Sequence, residues 1–416
     1  MHVKNLFEKQ VLDKLYEVYG PNPPVECVTR VHQELKAMRG TPFIRDLELI
    51  RSLREMAAKE GVPLFMESFL GSSFIAWLAG ASRINPLPPH RYCSRCHKVE
   101  FFYDAKDGWD LPMEYCCGEQ MQTDGHTIPF DSIAAKMSEN GFYLSFQISD
   151  DLQEKCMEIV QEFYKEFGMR LVPFYTDLSE MRGLDETEIA LIPETDPLPE
   201  LDCNGVWQVS SHELYEKEYK TITFRSTPIM NEVSHLAKQT AQRPDLNAKP
   251  NNDALMAIWD ELVQEYGHNK EVFLSEGDLF FSKFLKLYSF PHGSECWGPE
   301  EIALFQKSGA YLEDLFTCRE DIINEILAHS SLYYGDGRSF AYDIMENTRK
   351  GKYAHSGVPA DTVRLLQNMG IADYLIAQIM KTQYLPPKDV MIELLMKRCL
   401  REDYRELVKH YPKEEA

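Results

Sequence analysis

The stretch of sequence that decides the fold runs from residue 70 to residue 146. It contains LGSSFIAWLAGASRINPLPPHRYCSRCHK (70–98), DLPMEYCCGEQMQTDGHTIPF (110–130) and GFYLSF (141–146). The first segment joins a Gly-Ser turn and an apolar helix to a pair of cysteines. The second segment supplies another pair of cysteines. In the third segment apolar side chains occupy alternate positions, as in a strand. This order predicts a small metal-stabilised ribbon inserted between a helix and a sheet.

Nineteen residues separate two pairs of cysteines, Cys93 with Cys96 and Cys116 with Cys117. Two close pairs of thiolates joined by a loop offer four soft ligands to a tetrahedral zinc ion, and the zinc stabilises a ribbon too small for its own core. We therefore predict a structural zinc site. The second pair is adjacent in sequence, which strains binding through both sulfurs. If only Cys117 binds, His97 or His126 completes the ligand set.

The turn Gly71-Ser72-Ser73 begins an apolar helix that runs through Leu78. Such a turn can present free backbone N–H groups and hydroxyls to a phosphate, so Ser72 and Ser73 are candidates for nucleotide or nucleic-acid contact. The same pattern is also typical of an ordinary helix N-cap. Both interpretations stay open at this point.

The flanking sequence predicts a helix-rich α+β protein. Residues 3–60 have helical periodicity, and residues 141–148 carry apolar side chains at the even positions, as a half-buried strand does. A helix capped by Ser149 follows, and then strands at 170–175 and 189–192. Beyond residue 298 the pattern is helical, and the last helix, 389–410, is predicted to present a charged, solvated face.

Length and charge limit the possible functions. A chain of 416 residues should form two or three domains. Its 44 basic and 66 acidic residues give a net charge of −22, which repels nucleic acid and anionic membranes at long range. Since neither a membrane span nor a signal peptide is evident, we expect a cytoplasmic protein. Six scattered cysteines are predicted to be reduced core thiols: Cys27, Cys156, Cys203, Cys296, Cys318 and Cys399.

A series of motifs resembles the PolC-type DNA polymerase III of low-GC Gram-positive bacteria. In order they are GSSF (71–74), NPLPPH (85–90), the first cysteine pair, LP (111–112), DGHTIPF (124–130), PHGSECW (291–297), CREDI (318–322), IMENTRKGK (344–352) and YLPPK (384–388). The resemblance implies a palm-like α/β domain over 1–235 with an inserted zinc ribbon at 88–127. It further implies a linker and helical connection over 236–285 and an all-helical, fingers-like domain over 286–416.

The catalytic residues of that family are the part of the pattern that this chain lacks. Nucleotidyl transfer in the family resembles the two-metal scheme, in which carboxylates hold magnesium ions. The resemblance places the family's aspartates at Gly141, Tyr143 and Thr221 of this chain, and none of these can hold magnesium. We therefore expect no catalytic magnesium, and loss of all three carboxylates within an intact scaffold indicates a degenerate polymerase.

Five basic residues of the C-terminal third are candidates for contact with nucleic acid or nucleotide: Arg319, Arg349, Lys350, Lys352 and Lys388. The segments that carry them resemble the part of the family that closes on template and incoming nucleotide. For residues 349–352 a basic helix end that complements the helix dipole is an equally good interpretation.

Three functions remain open. The first, which we favour, is a catalytically inactive polymerase paralogue that acts as a binding or regulatory protein, with replication proteins as expected partners. The second is a DNA-binding or nucleotide-binding module, which requires a continuous positive groove along the five basic candidates. The third is a residual DNA-directed DNA polymerase or nucleotidyltransferase with relocated carboxylates. It requires at least two acidic side chains opposite Ser72 and Ser73.

Overall fold

The structure is a computed structural model that describes residues 2–67, 69–133, 143–176, 186–246, 248–265, 280–330 and 336–412. Gly141, the first position that the family resemblance assigns to an aspartate, lies outside these residues. Within them, no helix has both the length and the apolar character needed to cross a membrane.

Helices make up most of the described chain. They are α1 (His2–Tyr19), α2 (Val25–Ala37), α3 (Phe43–Glu60), α4 (Phe74–Leu78), α5 (Asp150–Lys165), α6 (Ser211–Glu216), α7 (Pro228–Gln239), α8 (Asn252–Glu265), α9 (Phe281–Ser289), α10 (Pro299–Ser308), α11 (Arg319–His329), α12 (Asp336–Arg349), α13 (Lys352–Ser356), α14 (Ala360–Asn368), α15 (Asp373–Lys381) and α16 (Lys388–His410).

The strands form one mixed sheet and a small ribbon. They are β1 (Phe65–Met66), β2 (His90–Tyr92), β3 (Val99–Phe101), β4 (Tyr115–Cys116), β5 (Glu119–Gln120), β6 (Gln122–Asp124), β7 (Tyr143–Ile148), β8 (Met169–Tyr175), β9 (Glu186–Pro193), β10 (Trp207–Gln208) and β11 (Lys220–Ser226). The main sheet has the order β1-β7-β11-β9-β8-β10, and the ribbon consists of the sheet β3-β2-β6 and the hairpin β4-β5. The helix-rich α+β class predicted from the sequence is confirmed.

Strands β7 and β11 are parallel neighbours in the main sheet. Their register places Thr221 opposite Tyr143 and Thr223 opposite Ser145. The two described positions that the resemblance assigns to aspartates therefore lie side by side. Since side chains alternate along a strand, Ser145 and Thr223 share a face of the sheet with position 147.

The opposite face of these strands is apolar and carries the core. Leu144 and Phe146 of β7 are fully buried, and the Phe146 ring stacks on Phe224 of β11 at 5.4 Å between ring centroids. The main core continues from Phe7 in α1 to Tyr404 in α16, so the N-terminal and C-terminal parts share it. The proposed domain limits at 235 and 286 stay a prediction.

Helix α16 corrects the prediction of a solvated terminal helix. Most of its residues from Lys388 to Leu400 are buried, and the helix packs against α7 and β1. Its charges form ion pairs inside the protein: the two carboxylate oxygens of Glu393 lie 2.7 Å from Arg54 and 3.2 Å from Arg83. Charged residues at helical spacing do not reveal whether their partners are water or buried side chains.

Two smaller predictions also need correction. The Ser149 hydroxyl does not cap α5; instead the Asp150 N–H donates to the side-chain oxygen of Asn231 at 2.8 Å. Among the six scattered cysteines, Cys203 is exposed and the other five are buried as predicted. Local sequence did not reveal the cap because Asn231 lies 81 residues further along the chain.

Candidate functional site

The four cysteine sulfurs converge at the tip of the ribbon. Every pair of Sγ atoms among Cys93, Cys96, Cys116 and Cys117 lies within 4.8 Å. The Sγ atom of Cys116 is 3.5 Å from that of Cys96 and 3.8 Å from that of Cys117. Sulfurs bound to zinc at about 2.3 Å in a tetrahedron stand at comparable separations. The ribbon can therefore hold a metal ion such as zinc.

The backbone at Cys117 explains how two adjacent cysteines reach the same centre. Cys117 has a φ of 55° and Gly118 a φ of 81°, so two successive residues occupy the left-handed region. This conformation is strained for a cysteine and natural for a glycine. The turn directs both sulfurs of the pair toward the first pair, which the sequence alone did not predict.

The charge balance of the cluster favours a bound cation. The backbone N–H of Lys98 lowers the pKa of Cys96 to about 7, whereas the neighbouring sulfurs of Cys96 and Cys117 raise the pKa of Cys116 to about 12. The second ionisation is costly because like charges would lie within 4 Å of each other. A divalent cation removes this cost, since thiolates are the form that binds metal.

The two histidines considered as alternative ligands have other contacts. The ring of His97 contacts the carbonyl oxygen of Val18 through Nδ1 at 3.1 Å. His126 is fully buried, and its Nδ1 lies 2.9 Å from a carboxylate oxygen of Asp107. Its ring meets the edge of Trp109 at 4.5 Å between centroids. The geometry thus favours the all-cysteine set.

The Asn-Pro-Leu-Pro-Pro-His segment attaches the ribbon to the body of the protein. The Nδ1 atom of His90 donates to the carbonyl of Pro88 at 2.8 Å, so Nε2 is free to accept from the hydroxyl of Tyr19 at 2.9 Å. Burial lowers the pKa of His90 to about 4, which keeps the ring neutral. Asn85 donates to the Tyr19 hydroxyl at 3.1 Å and to Asp124 at 3.0 Å. These motif residues are structural in this protein.

The Gly-Ser turn is occupied by an acidic side chain of the protein itself. Ser73 caps α4, and its hydroxyl donates to Glu34 at 2.5 Å. The backbone N–H groups of Phe74 and Ile75 donate to the same carboxylate at 2.9 and 3.0 Å. Arg30 pairs with Glu34 at 2.5 Å. The carboxylate therefore fills the position that a phosphate would need, and Ser73 is fully buried.

Ser72 lies next to a second buried acid. Asp389, at the start of α16, is 1% exposed, and a Cβ added at Gly71 would be 2.9 Å from one of its oxygens. Burial and the charge of Glu320 raise the pKa of Asp389 to about 7, against the opposing effect of Arg319. Two acids, Glu34 and Asp389, thus lie beside the turn, but both are buried and each has an arginine near it.

The sheet face that holds positions 143 and 221 carries polar side chains that are paired with one another. Glu67, which follows β1, is bound by Arg225 at 3.0 Å and accepts from the Ser145 hydroxyl at 3.2 Å. Gln147 donates to the same carboxylate and accepts from Lys397 of α16. Polar side chains on this face therefore satisfy one another.

Lys397 lies among charges of both signs on this face. Burial lowers the pKa of Lys397 to about 8, and the nearby cations Arg398, Arg225 and Arg401 lower it further, while Glu67 opposes them. Burial and nearby like charges both disfavour the charged form of a lysine.

Most of the five basic candidates have acidic or carbonyl partners. Glu346 binds Arg349 at 2.6 Å and Lys350 at 2.6 Å, and Glu320 binds Arg319 at 2.7 Å. Lys388 is buried and donates to the carbonyl of His126 at 2.6 Å, while Lys352 is exposed. The continuous positive groove required for the DNA-binding alternative is not evident in the described part of the chain. A contact of these residues with nucleic acid or nucleotide stays a prediction.

Sequence reasoning missed the acids that complete these sites. Glu34 lies 39 residues before Ser73, and Glu67 lies 158 residues before Arg225. Neither spacing gives a local signal. The one available sign was Glu34 four residues after Arg30 on a helix, which predicts an ion pair but not its position at the Gly-Ser turn.

The described residues define an α+β chain with a four-cysteine cluster that could hold a metal ion. Among them, no further group of three or more His, Cys, Asp or Glu side chains converges as a metal site would require. The residual-enzyme alternative asks for two acidic side chains opposite Ser72 and Ser73. Glu34 and Asp389 lie beside this turn, and both are buried.

Comparison with known proteins agrees with the family resemblance. The chain is 23% identical over 450 residues to the DNA polymerase III PolC-type of Latilactobacillus sakei, with 91% of this chain and 30% of that protein covered. It is 22% identical to the proteins of that name from Halalkalibacterium halodurans and Staphylococcus aureus, over 89% of this chain and 30% of each. The chain thus spans about 30% of the length of the curated relatives it matches. No protein-family model matches it.

Proposed function

We propose that this chain is a polymerase-related protein without nucleotidyltransferase activity that acts by binding another protein of DNA replication. The observation that carries this proposal is the composition of the β7 and β11 face. Tyr143 and Thr221 are paired neighbours there, and neither has a carboxylate. Two-metal catalysis needs carboxylates at such positions to hold both ions.

The surroundings of this face support the same proposal. Glu67 is neutralised by Arg225, and Lys397 lies among further cations. A single aspartate restored at position 143 would therefore share this face with a carboxylate, Glu67, that is already neutralised. The loss of activity follows from several substitutions that act together rather than from one missing residue.

A structural zinc ion in the four-cysteine cluster belongs to this proposal. The chemistry of four thiolates suits zinc, and a closed set of four protein ligands leaves no open position for catalysis. The zinc would hold β2 and the β4–β5 hairpin together at the tip of the ribbon. Its role would be to stabilise the ribbon, which His90 and Asn85 then anchor to α1.

The charge of this chain favours a protein over DNA as its binding partner. The net charge of −22 repels a polyanion, and Arg319, Arg349 and Lys350 are paired with acids in the structure. Binding of DNA through phosphate contacts requires basic side chains that can release counterions. Such residues are scarce among the five basic candidates. Lys352 is exposed, and its side chain has no acidic partner among the residues that the structure describes.

The experiment that tests this proposal is a titration of labelled primer-template DNA with the zinc-loaded protein, followed by fluorescence anisotropy at low and moderate salt with magnesium. We expect no saturable binding at moderate salt, and Lys352→Glu should change little. Asp361→Asn, which removes an exposed acid from α14, serves as the matched control. Micromolar or tighter binding that weakens with salt and with Lys352→Glu would instead support the DNA-binding module.

A further inference from the structure

A cavity of about 340 Å³ lies between α16 and residues 244–246 and 248–251. Its floor is formed by Met396, Leu400 and Leu407, which lie on one side of α16, together with Phe65 of β1. Small-molecule sites have volumes of about 300–1,000 Å³ and mostly apolar walls. This cavity therefore has the size and lining of a site for a small organic molecule.

The wall opposite α16 is fixed at both ends. The carbonyl of Tyr411 accepts from the Ala241 N–H at 3.1 Å and from the Thr240 hydroxyl at 3.0 Å. At the other end Lys249 donates to the carbonyl of Trp109 at 3.4 Å. The cavity is thus a built feature of the fold, formed where the connecting segment crosses the terminal helix.

Asp403 is the feature that the apolar lining does not explain. It lines the cavity and is partly buried, and it forms no ion pair or hydrogen bond with the residues the structure describes. Burial and the neighbouring Glu402 raise its pKa to about 6, with no cation to offset them. At neutral pH the carboxylate is ionised beside an apolar cavity, which is costly unless a cation joins it.

The other charged groups nearby already have partners. Glu402 is paired with Arg401 at 2.9 Å and Arg405 at 2.8 Å. Glu406 lies 3.4 Å from Lys409 and 3.6 Å from His410. Asp403 is thus the acid on this side of α16 whose charge the described residues leave uncompensated.

We propose that this cavity binds a small organic ammonium ion. The alkyl or aromatic body of the ligand lies against Leu400 and Leu407, and its ammonium group pairs with the carboxylate of Asp403. The apolar walls supply affinity through buried area, and the carboxylate supplies the preference for a cation. This inference does not depend on whether the chain has polymerase activity.

The test is isothermal titration calorimetry of the zinc-loaded full chain with three probes of equal chain length: n-hexylammonium, n-hexanol and hexanoate. We expect n-hexylammonium to bind at one site, about 10-fold or more tighter than n-hexanol, which corresponds to about 1.4 kcal/mol. Hexanoate should bind weakest. Asp403→Asn should abolish the preference for the ammonium ion while n-hexanol still binds, and Asp361→Asn should change nothing.

The proposal is overturned if n-hexylammonium and n-hexanol bind equally, if none of the probes binds saturably, or if Asp403→Asn leaves the preference intact. Leu400→Phe provides a second variant that fills the floor of the cavity. It should weaken n-hexylammonium and n-hexanol together and leave their ratio unchanged. Unaltered affinity for both probes in this variant would place their binding elsewhere.

Discussion

Replacement of Glu34 by alanine should destabilise the protein strongly. The carboxylate is fully buried and accepts from Arg30, from the Ser73 hydroxyl and from the backbone N–H groups of Phe74 and Ile75. Removal of one partner from a buried ion pair costs about 3–5 kcal/mol because the other charge stays buried without compensation. Each N–H group left without an acceptor adds about 1–3 kcal/mol where water cannot reach it. We therefore expect a loss of at least about 4 kcal/mol.

The measurement is the free energy of unfolding from urea titrations at neutral pH, with Glu17→Ala as control. Glu17 forms an exposed ion pair with Lys14 on α1 at 2.7 Å, and such pairs contribute about 0–1 kcal/mol. A loss of stability in Glu34→Ala as small as that in Glu17→Ala would show that the Glu34 carboxylate does not hold these buried groups. Added phosphate or nucleotide should also leave the free energy of unfolding of the wild-type protein unchanged, because the Glu34 carboxylate already fills the turn. An increase would contradict this occupancy.

Three further outcomes follow from the structure. Zinc chelation should expose the buried Cys93 to a thiol reagent, and added zinc should restore its protection. Gly108→Ala should destabilise the protein by about 3 kcal/mol in thermal or urea unfolding, because its Cβ would lie 1.9 Å from the carbonyl oxygen of Asp124. Gly205→Ala has open space around it and a φ of 77°, so it should cost only about 1–2 kcal/mol. The pKa of Asp389 is about 7 in the folded chain and about 3.9 when unfolded. Between about pH 3.9 and pH 7 unfolding therefore releases a proton, so the free energy of unfolding falls as pH rises, by up to about 1.4 kcal/mol per pH unit. Asp389→Asn should remove this slope between pH 5 and pH 7 in urea titrations.

The local elements of the fold could be predicted because their signals are local. Alternation of apolar residues predicted a strand at 141–148, and the structure describes β7 over Tyr143–Ile148. Helical periodicity after Ser149 predicted the helix α5, Asp150–Lys165. The strand predicted at 189–192 is longer, Glu186–Pro193, because pairing with β8 and β11 extends it. Pairing partners lie far away in sequence, so the length of this strand was not evident from its composition.

The candidate metal site was predictable in its ligands and not in its geometry. Cysteine spacing identified the four residues, while the choice between Cys116 and a histidine needed the left-handed backbone at Cys117. The acids at the Gly-Ser turn and at the sheet face were not predictable. Glu34 and Glu67 reach their partners only through tertiary packing. The motifs therefore predicted where the Gly-Ser turn and the strands lie. The structure was needed to show which side chains fill the turn and the sheet face.

Primer extension under single-turnover conditions tests directly whether the protein lacks polymerase activity. The zinc-loaded protein is in excess over a primer-template, with all four deoxynucleoside triphosphates and either magnesium or manganese. We expect no extension product with either ion, because the resemblance assigns carboxylates to the positions of Tyr143 and Thr221 and because Arg225 neutralises Glu67. Template-directed extension that is lost on Glu67→Gln would contradict this expectation, since it would show that this face still holds a catalytic metal.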